Sequence, residues 1–234
     1  MKRGKNKSII FLLLFAVVTV ILFNIPFGRY ILYPFIILGT WFHEMSHGIA
    51  AIGLGGYFQR LELYSDGSGV AFHSGGLFMG AVGDAIVAGA GPLGPTLAGT
   101  ILLFGSKNSK LSRIFLFLLG LFQVVSALIW IRSLFGVIII SIFGILAILI
   151  AIKGNEKTAI LTLQFLAIQA FTSLYLSIDY LFSRGGVVAG SSFSSDTAVI
   201  AKNLFFPHWF WAVVILIISI LLIFTSLKYI LKSD

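Results

Sequence analysis

The stretch "WFHEMSHGIAAIGLGG", residues 41–56, sets two histidines and a glutamate among residues suited to a membrane-buried helix. Ionisable and metal-binding groups are costly in such surroundings, so their default meaning there is function. The chain on either side repeats the apolar theme. A run that crosses a bilayer needs about 17–25 residues. Such runs fall near 8–26, 30–54, 78–104, 112–131, 133–152, 157–183 and 208–228. The sequence therefore predicts an all-α polytopic membrane protein with about seven transmembrane helices. The boundary between the fourth and fifth lies near Arg132.

Composition agrees. Of 234 residues, 59% are hydrophobic and 10% charged, against about 25% charged in soluble domains. The loops are too short for a separate soluble unit, which predicts a single membrane-embedded domain over 1–234. The net charge of +8 points to contact with anionic headgroups of the lipid bilayer rather than to nucleic acid. Cysteine is absent, which excludes disulfides and thiolate chemistry and leaves His, Asp and Glu to hold any metal. The start "MKRGKNKSIIFLLLFAVVTVILF" resembles a signal peptide, but no small-x-small cleavage site follows, so it is read as a retained first helix. Lys2, Arg3, Lys5 and Lys7 favour a cytoplasmic N-terminus, with the plasma membrane as the location. The second helix would then run back to the cytoplasm and end near Leu54.

Two segments do not fit spans. In residues 55–76, "YFQRLELY" alternates as a strand does, "SDGSG" is turn chemistry and "VAF" suits a return strand, so a short β-hairpin is expected after the second helix, at the cytoplasmic face. Residues 183–207 begin Gly/Ser-rich and irregular; a helix starts at the serines and stops at Pro207.

His43, Glu44 and His47 form HExxH. Positions i and i+4 share one helix face, where two imidazoles can share one zinc ion at about 2.0–2.1 Å. Glu44, beside them, can act as general base on the attacking water. A structural zinc site would normally use four protein ligands, and no cysteines exist to supply them. At 1.5 Å per residue the motif lies roughly 13 Å from the end of its helix, inside the bilayer. Water must then reach it through a protein-lined cavity, and a transmembrane peptide is the most natural substrate.

These residues resemble the site-2 protease class of intramembrane zinc metalloproteases, in the compact branch labelled peptidase family M-fifty-B-like. "FHEMSHGIAAIGLGG" is similar to that branch's HE-x-x-H-A-x-x-A-x-x-x-GG start, and "RLELYSDGSGVAFHSGG" to its strand-turn-strand. "AGAGPLGPTLAG" resembles an Ala-Gly-Tyr-Leu-Gly segment with Gly-Pro in place of Tyr. "IRSLFG" resembles Arg-Asn-Leu-Tyr-Gly, and "SSDTAVIA" a Ser-Asp-Ala signature with Thr197 in place of Ala. The resemblance spans about residues 38–212. It implies a zinc-dependent endopeptidase cutting transmembrane proteins.

A catalytic zinc takes three protein ligands and leaves a position open. Asp84, His73 and His208 are minor candidates for the third: Asp84 suits a helix cap, and the two histidines suit the interface. Asp179 is an acid in a span, with interfacial solvation or pairing with Arg184 as its bland explanation. Asp196 sits where capping and the helix dipole favour an acid. In the resembled class the third ligand is an Asp that follows an irregular stretch and opens a helix. Asp196 fits that and is preferred; Asp179 is the alternative. The hairpin, residues 57–73, is a candidate substrate-binding edge, since an unwound peptide can add to a strand at 57–64 or 69–73. "GAGPLGPTLAGT", residues 89–100, allows close helix packing and equally a kink that leaves room beside the site. Two rival functions are a pseudoprotease that binds zinc without cutting, and a metal or proton transporter. Pure zinc binding does not need Glu44, and the internal repeats common in transporters are absent.

Overall fold

A computed structural model describes residues 2–232, with side chains from Ile10 onward except that of Leu231. The side chains of the basic start, Lys2 to Lys7, lie outside the described set. Long helices stand at each apolar run: α1 (Lys2–Asn24), α2 (Pro26–Gly53), α3 (Ala81–Gly105), α4 (Ser109–Ile129), α5 (Leu134–Lys153), α6 (Glu156–Leu176) and, last in the chain, α9 (His208–Lys232). Their ends follow local chemistry. Pro26 opens α2 without a cap bond, as proline can in a first turn whose N–H groups lack partners anyway. The Asn108 side chain accepts from Leu111 N at 2.9 Å to start α4, and Asn155 accepts from Thr158 N at 2.9 Å to start α6. At the far end of α5, Arg113 from α4 donates to the carbonyls of Ala151 at 3.0 Å and Gly154 at 2.7 Å, satisfying acceptors that no helix residue can reach.

Among the described residues five stretches are long and apolar enough to cross a membrane alone: α3, α4, α5, Glu156–Phe182 and α9. α1 and α2 pass together, as a pair bent by 120°, giving up to six. About seven thus holds for the long helices and approximates the crossings. The expected sixth span is broken: α6 ends at Leu176, and a one-turn helix α7 (Ile178–Phe182) follows.

The expected hairpin forms from β1 (Tyr57–Leu63) and β2 (Gly69–Ser74), antiparallel, with a register irregularity between Phe58 and Arg60. It docks through β1. A Cβ on Gly48 of α2 would stand 2.3 Å from the Phe58 ring, so the glycine makes the close approach possible; Phe58 also stacks on Trp130 at 5.3 Å. Leu61 and Leu63 are fully buried. The free side of β1 is closed by the chain after α4, where Leu61 N donates to Trp130 O and Arg132 N to Leu61 O, each at 2.9 Å. β2 is therefore the open edge.

Residues 183–207 depart from the irregular stretch expected at their start. β3 (Gly185–Val188) and β4 (Ser191–Ser194) form a second antiparallel hairpin. Positive φ at Ala189 and Gly190 makes its two-residue turn, which the run of small residues conceals from a hydropathy pattern. α8 (Asp196–Asn203) follows, begun by Ser195 as expected.

The first helix and the first hairpin do not share a face. α1 runs beside α6 in the same direction, shown by Lys157 over Phe11 at 5.7 Å, Phe15 on Phe165 at 5.3 Å and Phe23 against Tyr175 at 6.4 Å. Gln169 also donates to Thr19 at 2.8 Å. The end of α6, not its start, adjoins β2 around one cavity. The hairpin thus lies toward the end of the bundle where α1 finishes, and Leu54, just after α2, accepts from Phe78 N near the start of α3.

Candidate metal centre

Each part of the site is set by its backbone. His43 and His47, one turn apart on α2, have ring centroids 4.9 Å apart. His47 Nδ1 lies 2.8 Å from the Val87 carbonyl of α3. That carbonyl can only accept, so Nδ1 carries a proton, and Nε2 is the ring nitrogen left to face a metal. Asp196 is the first residue of α8 and is 7% exposed. Its Oδ2 stands 3.1 Å from His43 Nε2 and its Oδ1 3.3 Å from His47 Nε2.

Hydroxyls on either side hold Asp196 in place. Ser195 donates to the Ser183 carbonyl at 2.7 Å and accepts from Ala198 N at 3.3 Å. Thr197, fully buried, donates to the Leu181 carbonyl at 2.7 Å. α8 is thereby tied to α7, and the acid is delivered from a segment far from HExxH in sequence.

The three donors fit a metal. One ligand atom from each of His43, His47 and Asp196 lies within 4.8 Å of the others. Bonds of about 2.0–2.1 Å in tetrahedral geometry put ligand atoms about 3.3 Å apart, close to the two separations observed. Asp196 Oδ2 is buried, with His43 Nε2 at 3.1 Å as its polar neighbour and no further hydrogen bond, a setting that suits a carboxylate sharing a cation with that imidazole. The donor set, two imidazoles and a carboxylate, suits zinc. The space beside the two imidazoles is kept open by Gly91 of α3: a Cβ there would lie 2.2 Å from His47 Nε2 and 2.8 Å from His43 Nε2.

A cavity of about 730 Å³ opens beside these groups, walled by β2, the end of α6, α7, and the β3–β4 hairpin. Glu44 faces it, 8% exposed, and accepts from Ala71 N of β2 at 2.8 Å. The Tyr180 ring stands 6.3 Å from that of His43 and also lines the cavity.

The other sequence candidates separate. Asp179 is exposed on α7 and is absent from the cavity wall; among the described residues it forms no ion pair with Arg184. Asp84 and His73 are exposed and line the same cavity outside the donor cluster. The expected cap at Asp84 is not made, because Gly80 holds the N-cap position and no side chain bonds there. His208 Nε2 lies 3.2 Å from the Phe182 carbonyl, away from the cavity. Gly91, the Val87 carbonyl, Thr197 and Tyr180 were not singled out as site residues. Gly91 left a signal as part of the small-residue run 89–100 and Thr197 as the departure within "SSDTAVIA"; Val87 and Tyr180 left none.

No curated protein and no solved structure matches this chain. The family described as Peptidase M50B-like matches residues 10–226, nearly the whole length. With its apolar helices the protein is a multi-pass membrane protein, and by this match the chain belongs to the Peptidase M50B-like family of membrane proteases.

Proposed function

We propose that the protein is a zinc-dependent intramembrane endopeptidase acting on transmembrane proteins. The observation that carries this reading is the convergence of His43, His47 and Asp196 on one point with Glu44 facing the same cavity. His43 Nε2, His47 Nε2 and the Asp196 carboxylate would hold the ion. When bound, zinc supplies Lewis acidity to the scissile carbonyl and to the developing oxyanion. Glu44 takes a proton from the attacking water onto its carboxylate and delivers it to the leaving amide nitrogen. His47, oriented through Val87, would present Nε2 to the ion.

A peptide must be unwound before its carbonyl is open to attack. The open edge of β2 supports a bound form in which the substrate adds as a further strand; β1 cannot serve, since residues 130–132 occupy its edge. For orientation, the bundle end where α1 starts also carries Lys107, Lys110, Arg113, Lys153, Lys157, Lys228 and Lys232 against Glu156. The opposite end mixes Arg29, Arg60, Arg132, Arg184 and Lys202 with Glu62, Asp66, Asp84 and Asp179. Excess Lys/Arg marks the cytoplasmic side, which supports a cytoplasmic N-terminus in the plasma membrane and a cavity opening on the opposite face.

The test is metal content. Purified protein should carry about one zinc per chain, and the His43→Ala/His47→Ala pair should carry none. Full zinc retention by that double variant would overturn the site.

A further inference from the structure

The edge strand that is free to receive substrate also grips the candidate general base. Glu44 Oε2 accepts from Ala71 N at 2.8 Å. The direction of that N–H follows from the ladder. Leu61, the partner of Ala71, spends both its N–H and its C=O on residues 130–132, so this pair exchanges no bond. The Ala71 N–H therefore points away from β1, and Glu44 takes it. Two residues earlier, Gly69 has the same outward orientation. A Cβ on Gly69 would meet Glu44 Cγ at 3.0 Å and Thr40 Cγ2 at 2.8 Å. Its φ is outside the left-handed region, so the glycine is needed for room and not for backbone conformation.

We propose that β2 is a positioning element for Glu44, with Gly69 leaving space for its methylenes and the Ala71 N–H fixing its carboxylate. This rests on the reading of Glu44 as general base. It adds that base and substrate hang from one backbone. A peptide pairing with β2 is brought into register with Glu44 by the strand itself, while the Ala71 N–H is already committed and the substrate pairs through the remaining outward groups of Gly69 and Ala71. Neither residue is catalytic; both act through Glu44.

The chain has three glutamates, Glu44, Glu62 and Glu156, so protein labelled with ¹³C at the glutamate carboxyl gives three signals, and Glu44→Gln identifies one. Two perturbations are compared: Gly69→Ala, and replacement of Ala71 by lactic acid, which exchanges the N–H for an ester oxygen, removes no donor from the β1–β2 ladder and only weakens the Val70 carbonyl as an acceptor. Gly76→Ala is the control, since a Cβ there meets nothing within 4 Å. Both perturbations should move the Glu44 signal and leave those of Glu62 and Glu156 in place. Both should keep zinc and KM and lower kcat about 10–100-fold, as lost outer support does; the control should match wild type. An unmoved Glu44 signal overturns the proposal whatever the activity. So does a rise in KM with kcat unchanged, which would make β2 a substrate contact only, or a loss of zinc. Failure of the underlying reading looks different: Glu44→Gln would then turn over normally while the signal shifts still occurred.

Discussion

Gly91→Ala is the substitution whose consequence can be worked most closely from the structure. The new methyl would lie 2.2 Å from His47 Nε2, 2.3 Å from His47 Cε1 and 2.8 Å from His43 Nε2. To restore an ordinary 3.4 Å contact the His47 ring must retreat by about 1.2 Å. Two features oppose that. His47 Nδ1 is held by the Val87 carbonyl at 2.8 Å, and moving α2 off α3 as a body would open the close packing at Gly94, where a Cβ would lie 2.1 Å from Ser46 Oγ. Metal sites tolerate ligand displacements of about 0.2 Å. Zinc affinity should fall by at least the roughly 10–100-fold that indirect support is worth, with an overpacking cost of about 1–3 kcal/mol in stability. Gly94→Ala is the comparison: its methyl would lie 2.1 Å from Ser46 Oγ and 3.0 Å from the Phe42 carbonyl, with neither histidine ring among its nearest neighbours. Zinc retention against graded chelator and thermal unfolding are measured on both. Gly91→Ala should release zinc at a chelator level that Gly94→Ala withstands. Equal retention by the two would refute the claim that Gly91 clears the ligand space.

Further outcomes follow from other contacts. Asp196→Ala should lose zinc at low chelator while Asp179→Ala retains it; the reverse order would move the third ligand to α7. Thr197→Val removes the bond to the Leu181 carbonyl and leaves a buried acceptor, so unfolding should be easier by about 1–3 kcal/mol, and an unchanged transition would show that α8 is held otherwise. The chain has no cysteine, so single cysteines at Ser65 and Lys107 can be tested with a membrane-impermeant thiol reagent in intact cells. Ser65→Cys should label from outside and Lys107→Cys only after lysis, and labelling in the opposite sense would invert the proposed orientation.

Much of this was legible from residues close together in the chain. HExxH fixed two imidazoles and a carboxylate on one helix because helical spacing is a local property. The apolar runs located the long helices, and alternation with a turn located the first hairpin. What stayed open depended on contacts between distant segments. Asp196 and Asp179 each have local explanations, a capped helix start and an interfacial acid, and only the folding of α8 onto α7 through Ser195 and Thr197 brings one of them to the histidines. The second hairpin was hidden because glycine and serine carry little hydropathy signal. The placement of the first hairpin by the end of α1 rather than by its start was not legible, because α2 looks like an ordinary crossing by composition, whereas its 120° bend from α1 and its contact with the start of α3 are tertiary facts.

The most direct measurement is cleavage. Protein reconstituted in liposomes with a transmembrane substrate is assayed for fragments by mass spectrometry in four states: wild type, metal-stripped, zinc-restored, and Glu44→Gln with its zinc content verified. Peptide-bond hydrolysis within the transmembrane segment is expected in the wild type. It should vanish on stripping, return with about one zinc per chain, and drop by about 10²–10⁴-fold in the zinc-loaded Glu44→Gln variant. Cleavage that persists without metal, or a zinc-loaded Glu44→Gln variant that cuts at the wild-type rate, would contradict the mechanism.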